Sequence, residues 1–104
     1  MNAQFKKGVL ELCVLVLLEK QDLYGYEVIK RITEKIDISE GSIYPILRRL
    51  LKQDLCTSYL QESSEGPSRK YYRLTNNGKK HLKDLKEEYN TFKHGVESLM
   101  KEEI

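Results

Sequence analysis

Ser42, Tyr44, Arg48 and Lys52 fall on one face of a helix and mix a small hydroxyl, a phenol and two cations. Such a face suits a nucleic acid: cations engage guanine edges in bidentate fashion, and hydroxyls serve bases or phosphates. Between Gly41 and Gln53 the chain carries the cations Arg48, Arg49 and Lys52 and no acid. Three charges on one helix are by themselves more often a solvated face. A second cluster strengthens the reading. The fifteen residues from Arg69 to Lys83 hold six cations (Arg69, Lys70, Arg73, Lys79, Lys80, Lys83) and no acid, in a chain of net charge only +2. Acids have been kept out of this stretch, which also contains the pair Tyr71-Tyr72. Arg69, Lys70 and Arg73 are placed to meet phosphates, the source of most salt-dependent affinity for DNA.

Other chemistry finds little footing. His81 and His94 stand thirteen residues apart, and neither has a Cys or His at ligand spacing, so no metal site is expected. Cys13 and Cys56 lie in apolar patterns rather than a Cys-x-x-Cys pair and read as buried free thiols of a reducing cytosol. No nucleophile–base set, phosphate-cradling glycine loop or carboxylate dyad is present, so neither an enzyme nor a cofactor is expected. Lys6-Lys7 followed by the apolar run Val9 to Leu18 mimics a signal peptide. Glu11 interrupts that run, Glu19-Lys20 closes it, and no small-residue cleavage site follows. The run is also well short of the ~20 residues that span a bilayer. A cytoplasmic protein with no membrane partner is the expectation.

The elements that must hold these residues can be traced along the chain. With 104 residues, one modest core is possible. Residues 5–20 are apolar almost all round and must be covered on every face, which hints at a second subunit. Gln21-Asp22-Leu23 reads as a connection, and Tyr24 to Lys35 as a second helix with Val28, Ile29, Ile32 and Ile36 inward. After a break at Asp37-Ile38-Ser39, a third helix runs to about Gln53 on the stripe Ile43, Ile46, Leu47, Leu50. Its start lies between 39 and 43. Ser39 is a reasonable N-cap, but Ser42 would put Pro45 in the first turn, where its missing N–H is harmless. Leu55 to Glu62 and Arg69 to Leu74 predict a β-hairpin with a loop of about six residues around Gly66-Pro67. In its second strand Arg69, Tyr71 and Arg73 share one face, and Tyr72 and Leu74 turn to the core. Thr75 then caps a last helix.

That last helix carries Leu82, Leu85, Tyr89, Phe92, Val96 and Leu99 at intervals of 3, 4, 3, 4, 3, an a/d seam. Packing onto the chain's own first helix would give the same pattern. The seam is longer than a small domain can cover, so a homodimer using it together with Leu12 of the first helix is expected. Two short helices followed by a basic hairpin are in the order of a winged helix-turn-helix. The fold class is thus mainly α with a small β-hairpin (α+β): a winged helix-turn-helix over residues 1–74 and a long C-terminal dimerisation helix over 75–104.

The chain resembles the PadR family of bacterial transcriptional regulators, in its short form with a single C-terminal helix. The resemblance rests on Gly8-Val9-Leu10-Glu11, Tyr24-Gly25-Tyr26-Glu27, the block from Gly41 to Leu50 and the block from Gly66 to Gly78. It implies a homodimer held by the first and last helices that represses a promoter with a dyad-symmetric site in double-stranded DNA. It places Ser42, Tyr44, Pro45 and Arg48 at the groove, and Gly66 and Arg69 to Tyr71 on the wing. Relatives often respond to small aromatic or xenobiotic molecules, and Tyr89 and Phe92 occupy the matching region here. Two departures stand out. The family usually has an acid and a glycine where this chain has Leu51 and Asp54, which predicts a looser or differently shaped end to the third helix. There is also no tryptophan, on which some drug-sensing relatives stack ligands. Fold alone leaves open two other readings: a winged helix that binds protein, and a ligand-sequestering dimer.

Overall fold

The computed structural model describes residues 3–103, with side chains from Lys7 onward; residues 1, 2 and 104, the ends of the two expected segments, lie outside it. Four α-helices surround one face of a three-stranded antiparallel sheet: α1 (Ala3–Lys20), β1 (Leu23–Tyr24), α2 (Gly25–Thr33), α3 (Tyr44–Lys52), β2 (Cys56–Ser63), β3 (Gly66–Leu74) and α4 (Asn76–Lys101). The α+β winged-helix class is as expected. Leu10, Val14, Leu15 and Leu18 on α1 meet Val28, Ile29 and Ile32 on α2 and Ile46, Leu47 and Leu50 on α3 in one core. Each set follows the 3–4 spacing that places side chains on one helical face.

A one-turn 3-10 helix, Glu40–Ser42, precedes α3, and Ile43 is the residue that caps α3. Neither serine caps it. The hydroxyls of Ser39 and Ser42 bond each other at 2.9 Å instead, and fully buried Ile43 pins the junction. Pro45 is the second residue of α3, where no intrahelical donor is lost.

The far end of α3 corrects the expectation of looseness. Asp54 takes the left-handed conformation with φ 58°. Its N–H donates to the Leu51 carbonyl at 3.2 Å, and the Leu55 N–H donates to the Leu50 carbonyl at 2.9 Å. These are the two bonds of a closed Schellman end. Leu50 and Leu55 are both buried beneath it. The local cost of a non-glycine residue there is offset by further bonds: Thr75 Oγ1 donates to the Asp54 carbonyl at 2.7 Å, and Asn77 Nδ2 to Asp54 Oδ2 at 3.3 Å. α3 is therefore tied to the start of α4.

The strand order is β1-β3-β2. β1, which the sequence pattern presents as plain connection and helix start, pairs Leu23 with Tyr72 and Tyr24 with Tyr71. Two residues are too few to show alternation. The hairpin is also longer and tighter than expected. Ser63 pairs with Gly66, so only Ser64 and Glu65 make the turn. Between the Ser63–Gly66 and Gln61–Arg69 pairs, Glu62 stands against both Pro67 and Ser68. This bulge takes up the proline, which has no N–H for a ladder.

The Thr75 cap of α4 is as expected: its Oγ1 accepts the Gly78 N–H at 2.9 Å. Gly78 is obligatory for packing, because a Cβ there would collide with the Leu55 carbonyl oxygen and come within 2.6 Å of Leu74 Cδ1. α4 has 26 residues, about 39 Å of helix. Its first turns seal the core through Gly78 and Leu82, and its later turns are exposed.

Candidate nucleic-acid interface

α3 buries Ile46, Leu47 and Leu50 and turns its other side to solvent. On that side Tyr44 (44% exposed), Pro45, Arg48 and Lys52 are exposed, with Ser42 half-buried at the entry. Among the described residues neither Arg48 nor Lys52 takes part in a salt bridge, so both cations are available to an anion. The third cation behaves differently. Arg49 Nη2 binds Glu11 Oε2 of α1 at 2.9 Å in a largely shielded pair. Position within the helix separates the two arginines, since Arg48 lies off the buried stripe and Arg49 on its flank.

The hairpin presents two unlike faces. Toward the core lie Cys56, Tyr72 and Leu74, with Lys70 reaching 5.6 Å from the Tyr72 ring. Burial pushes the Cys56 thiol up to about 11, with Lys70 opposing it. On the outer face Tyr24, Tyr71 and Tyr59 form a row across the three strands, with ring centroids 5.7 Å and 5.6 Å apart. Arg69 lies 4.7 Å from the Tyr24 ring, and Arg73 5.1 Å from that of Tyr59. Arg69, Tyr71 and Arg73 share this face, as the alternation predicts.

Arg73 has a partner that its strand pattern does not show. Its guanidinium binds Asp22 Oδ2 through Nε and Nη2, each at 2.9 Å, and Tyr59 donates its hydroxyl to the same oxygen at 2.7 Å. Asp22 thereby raises both the Arg73 and the Tyr59 pKa above their usual values. Arg73, with 61% of its side chain still exposed, ties the wing to the end of α1. Arg69, Lys70 and Tyr71 keep no such carboxylate partner among the described residues. Asp22, Tyr24, Tyr59 and Glu11 are participants that sequence reasoning misses. The partners of Asp22 and Glu11 stand 37 to 70 residues away, so no local pattern could have shown them.

The helix seam also divides. Leu82 is fully buried in the core of its own chain and has no surface left to give a partner, which corrects its expected place in a dimer contact. The reason is the close approach at Gly78, which sinks the first turns of α4 onto the sheet and α1. Leu85 is half-buried against the core. Tyr89, Phe92 (57% exposed), Val96 and Leu99 (70% exposed) lie beyond it on the surface. Leu12, Cys13, Val16 and Leu17, the second apolar face of α1, are only half-covered. Together with Val9, Ile36 and Tyr89 they line an open groove of about 760 Å³ whose rim mixes Lys20, Lys30, Arg31 and Lys35 with Glu27 and Glu34. No helix among the described residues is long and apolar enough to cross a membrane.

Comparison with known proteins agrees with this geometry. Residues 14–84 match the family model of the transcriptional regulator PadR-like family. A PadR-like transcriptional regulator from Bacillus cereus is 38% identical, with 97% of this chain and all of that one covered, and superposes with a TM-score of 0.86. A PadR family transcription regulator from Clostridium difficile is 36% identical over 88% of this chain and 97% of its own, with a TM-score of 0.79. An uncharacterized protein of Lysinibacillus sphaericus is 33% identical over 90% of both chains. The exposed basic face of α3, the basic hairpin beside it and these likenesses lead to one conclusion: the chain belongs to the PadR-like family of transcriptional regulators, which are DNA-binding regulators and not enzymes.

Proposed function

We propose that the protein is a homodimeric repressor that binds a dyad-symmetric operator in the cytoplasm. The observation that carries the reading is the solvent face of α3, where Tyr44, Arg48 and Lys52 stand with no acid between Gly41 and Gln53. α3 enters the major groove, with Arg48 as the base-reading cation and Ser42, Tyr44, Pro45 and Lys52 around it. Arg69, Lys70 and Tyr71 of the wing contact phosphate. Residues 1–74 then form the reading unit, and α4 with α1 forms the dimer contact, through Leu12, Leu85, Tyr89, Phe92, Val96 and Leu99. Half-covered apolar surface on α1 and exposed apolar residues on α4 support that contact, because two such surfaces gain by burying each other.

Selection of bound sequences from random double-stranded DNA tests this reading. A palindromic consensus with half-sites about 34 Å apart is expected. Failure to enrich any sequence, with no retardation of the promoter next to the protein's own gene, would overturn it. The effector belongs to the same proposal. A small aromatic molecule seated by Tyr89 and Phe92, beside the apolar groove on α1, lowers operator affinity. Repeating the selection with and without phenolic compounds and cationic drugs checks that part; an operator affinity that none of them changes counts against it.

A further inference from the structure

Glu11 sits where three helices meet. Its Oε2 accepts from Arg49 Nη2 of α3 at 2.9 Å, and its Oε1 lies 2.9 Å from His81 Nε2 of α4. An ionised carboxylate only accepts, so the imidazole supplies an Nε2–H. The Glu11 side chain is 15% exposed, which makes it the most shielded member of the cluster. One carboxylate thus links the helix that faces solvent with Arg48 to the long helix that leaves the core.

A second link lies at the C-terminal end of α3. There the Asp54 carbonyl and carboxylate accept from Thr75 and Asn77 at the start of α4, and the Thr75 N–H donates to the Leu55 carbonyl at 3.1 Å. Beyond the packing of Ile46, Leu47 and Leu50 in the core, one attachment at the helix end fixes a single point of α3 relative to α4. A second attachment, farther along and on another side chain, sets its angle. Arg49 and Asp54 are separated by more than one helical turn, so the pair of links defines a direction for α3 relative to α4.

We propose that Glu11 is the positioning residue of the DNA-reading helix: by bridging Arg49 and His81 it sets the angle between α3 and α4, and through it the operator half-site spacing that the dimer accepts. This rests on the proposed function, in which α4 lies at the dimer axis and α3 in the groove. With α4 held at the axis, a change in the α3–α4 angle moves the two reading helices apart or together. The contacts that each makes with its own half-site are unchanged. Arg49 is accordingly a strut and not a reader of bases.

The test uses the full chain and the duplex enriched from random DNA by the wild-type protein. Companion duplexes have one or two base pairs inserted or removed between the half-sites. The wild type is expected to lose about tenfold or more in affinity per misplaced base pair, on the order of other operator errors. Glu11→Met keeps the length of the side chain but has neither carboxylate oxygen, so it holds neither Arg49 nor His81. It is expected to bind the companion duplexes within about threefold of the optimum, a remaining spread of about 0.65 kcal/mol. Its preference for bases within each half-site is expected to stay that of the wild type. His81→Ala, which leaves the Arg49 pair in place, is expected to flatten the profile in the same way. A steep wild-type profile retained by both variants overturns the inference. So does an equal loss on all duplexes that tracks a lowered melting temperature, since Glu11 would then support folding alone. If the wild type enriches no DNA, it is the proposed function that fails, and the two failures are told apart in one experiment.

Discussion

The Arg73 guanidinium and the Asp22 carboxylate lie 2.9 Å apart, joining the last strand of the wing to the residue that follows α1 by two. The pair gives this exposed arginine an anchoring contact within its own chain. If Arg73 held phosphate directly, removing its competing carboxylate would tighten DNA binding. As an anchor, it requires Asp22. Asp22→Ala and Arg73→Ala are therefore both expected to weaken DNA binding, by similar factors, in fluorescence anisotropy titrations. Tighter binding by Asp22→Ala would return Arg73 to the phosphates.

Arg48 and Arg69 are expected to separate by the kind of loss they cause. If Arg48 reads bases as proposed, Arg48→Ala is expected to cost about 1–3 kcal/mol per half-site against the preferred operator while leaving non-specific binding nearly intact. Arg69→Ala removes one phosphate contact from each subunit of the proposed dimer and is expected to weaken all sequences alike and to flatten the salt slope by about 2. For the wild-type dimer, neutralising about six phosphates sets log K against log[salt] near −5. The same behaviour from both variants would show the roles misassigned.

Two glycines of α4 offer opposite outcomes. Gly78→Ala drives a methyl group into the Leu55 carbonyl and Leu74 and is expected to destabilise by about 3 kcal/mol. A Cβ at Gly95 would meet nothing within 4 Å. Gly95→Ala is expected to stabilise by about 0.5–1 kcal/mol through helix propensity. Thermal melts monitored by circular dichroism distinguish them.

Val96→Lys with Leu99→Lys places charge on the exposed end of α4 and leaves the core residues Leu82 and Leu85 untouched. Light scattering is expected to report monomers, with operator affinity lost because two half-sites are no longer joined. A dimer that survives both changes locates the contact elsewhere.

Cys56 supplies a pH dependence. Its thiol titrates near 9 when unfolded and is pushed up to about 11 by burial. Below pH 9 both states hold the proton and its contribution to stability is complete. As pH rises toward 11, the unfolded chain ionises first, and the contribution is lost. Chemical denaturation between pH 8 and 11 is expected to show falling stability in the wild type that is reduced in Cys56→Ala. Alkylation of Cys56 in the folded protein at pH 8 is expected to be slower than in the unfolded chain, as the thiolate is the reactive form.

Much of this molecule is legible in its order of residues. The stripes of α2 and α3, the Thr75 cap and the inward placement of Tyr72 and Leu74 follow from periodicities of 3.6 and 2, which report local backbone geometry. The basic character of the wing and of the outward face of α3 follows from composition alone. Those features depend on neighbours within a turn or a strand pair, and neighbours are what a sequence displays.

Tertiary structure decided which partner each polar group takes. Arg48 and Arg49 are adjacent and chemically identical, yet one faces solvent and the other is held by Glu11, 38 residues away. Arg73 is claimed by Asp22 across 51 residues. Leu82 and Leu99 belong to one seam, and only the close approach at Gly78 makes the first a core residue and leaves the second on the surface. Asp54 holds a left-handed helix end because Thr75 and Asn77 are brought to it by α4. A residue's type states what it can bind; chain folding determines what stands within about 3 Å of it, and in this protein that leaves Arg48 exposed and holds Arg49 against Glu11.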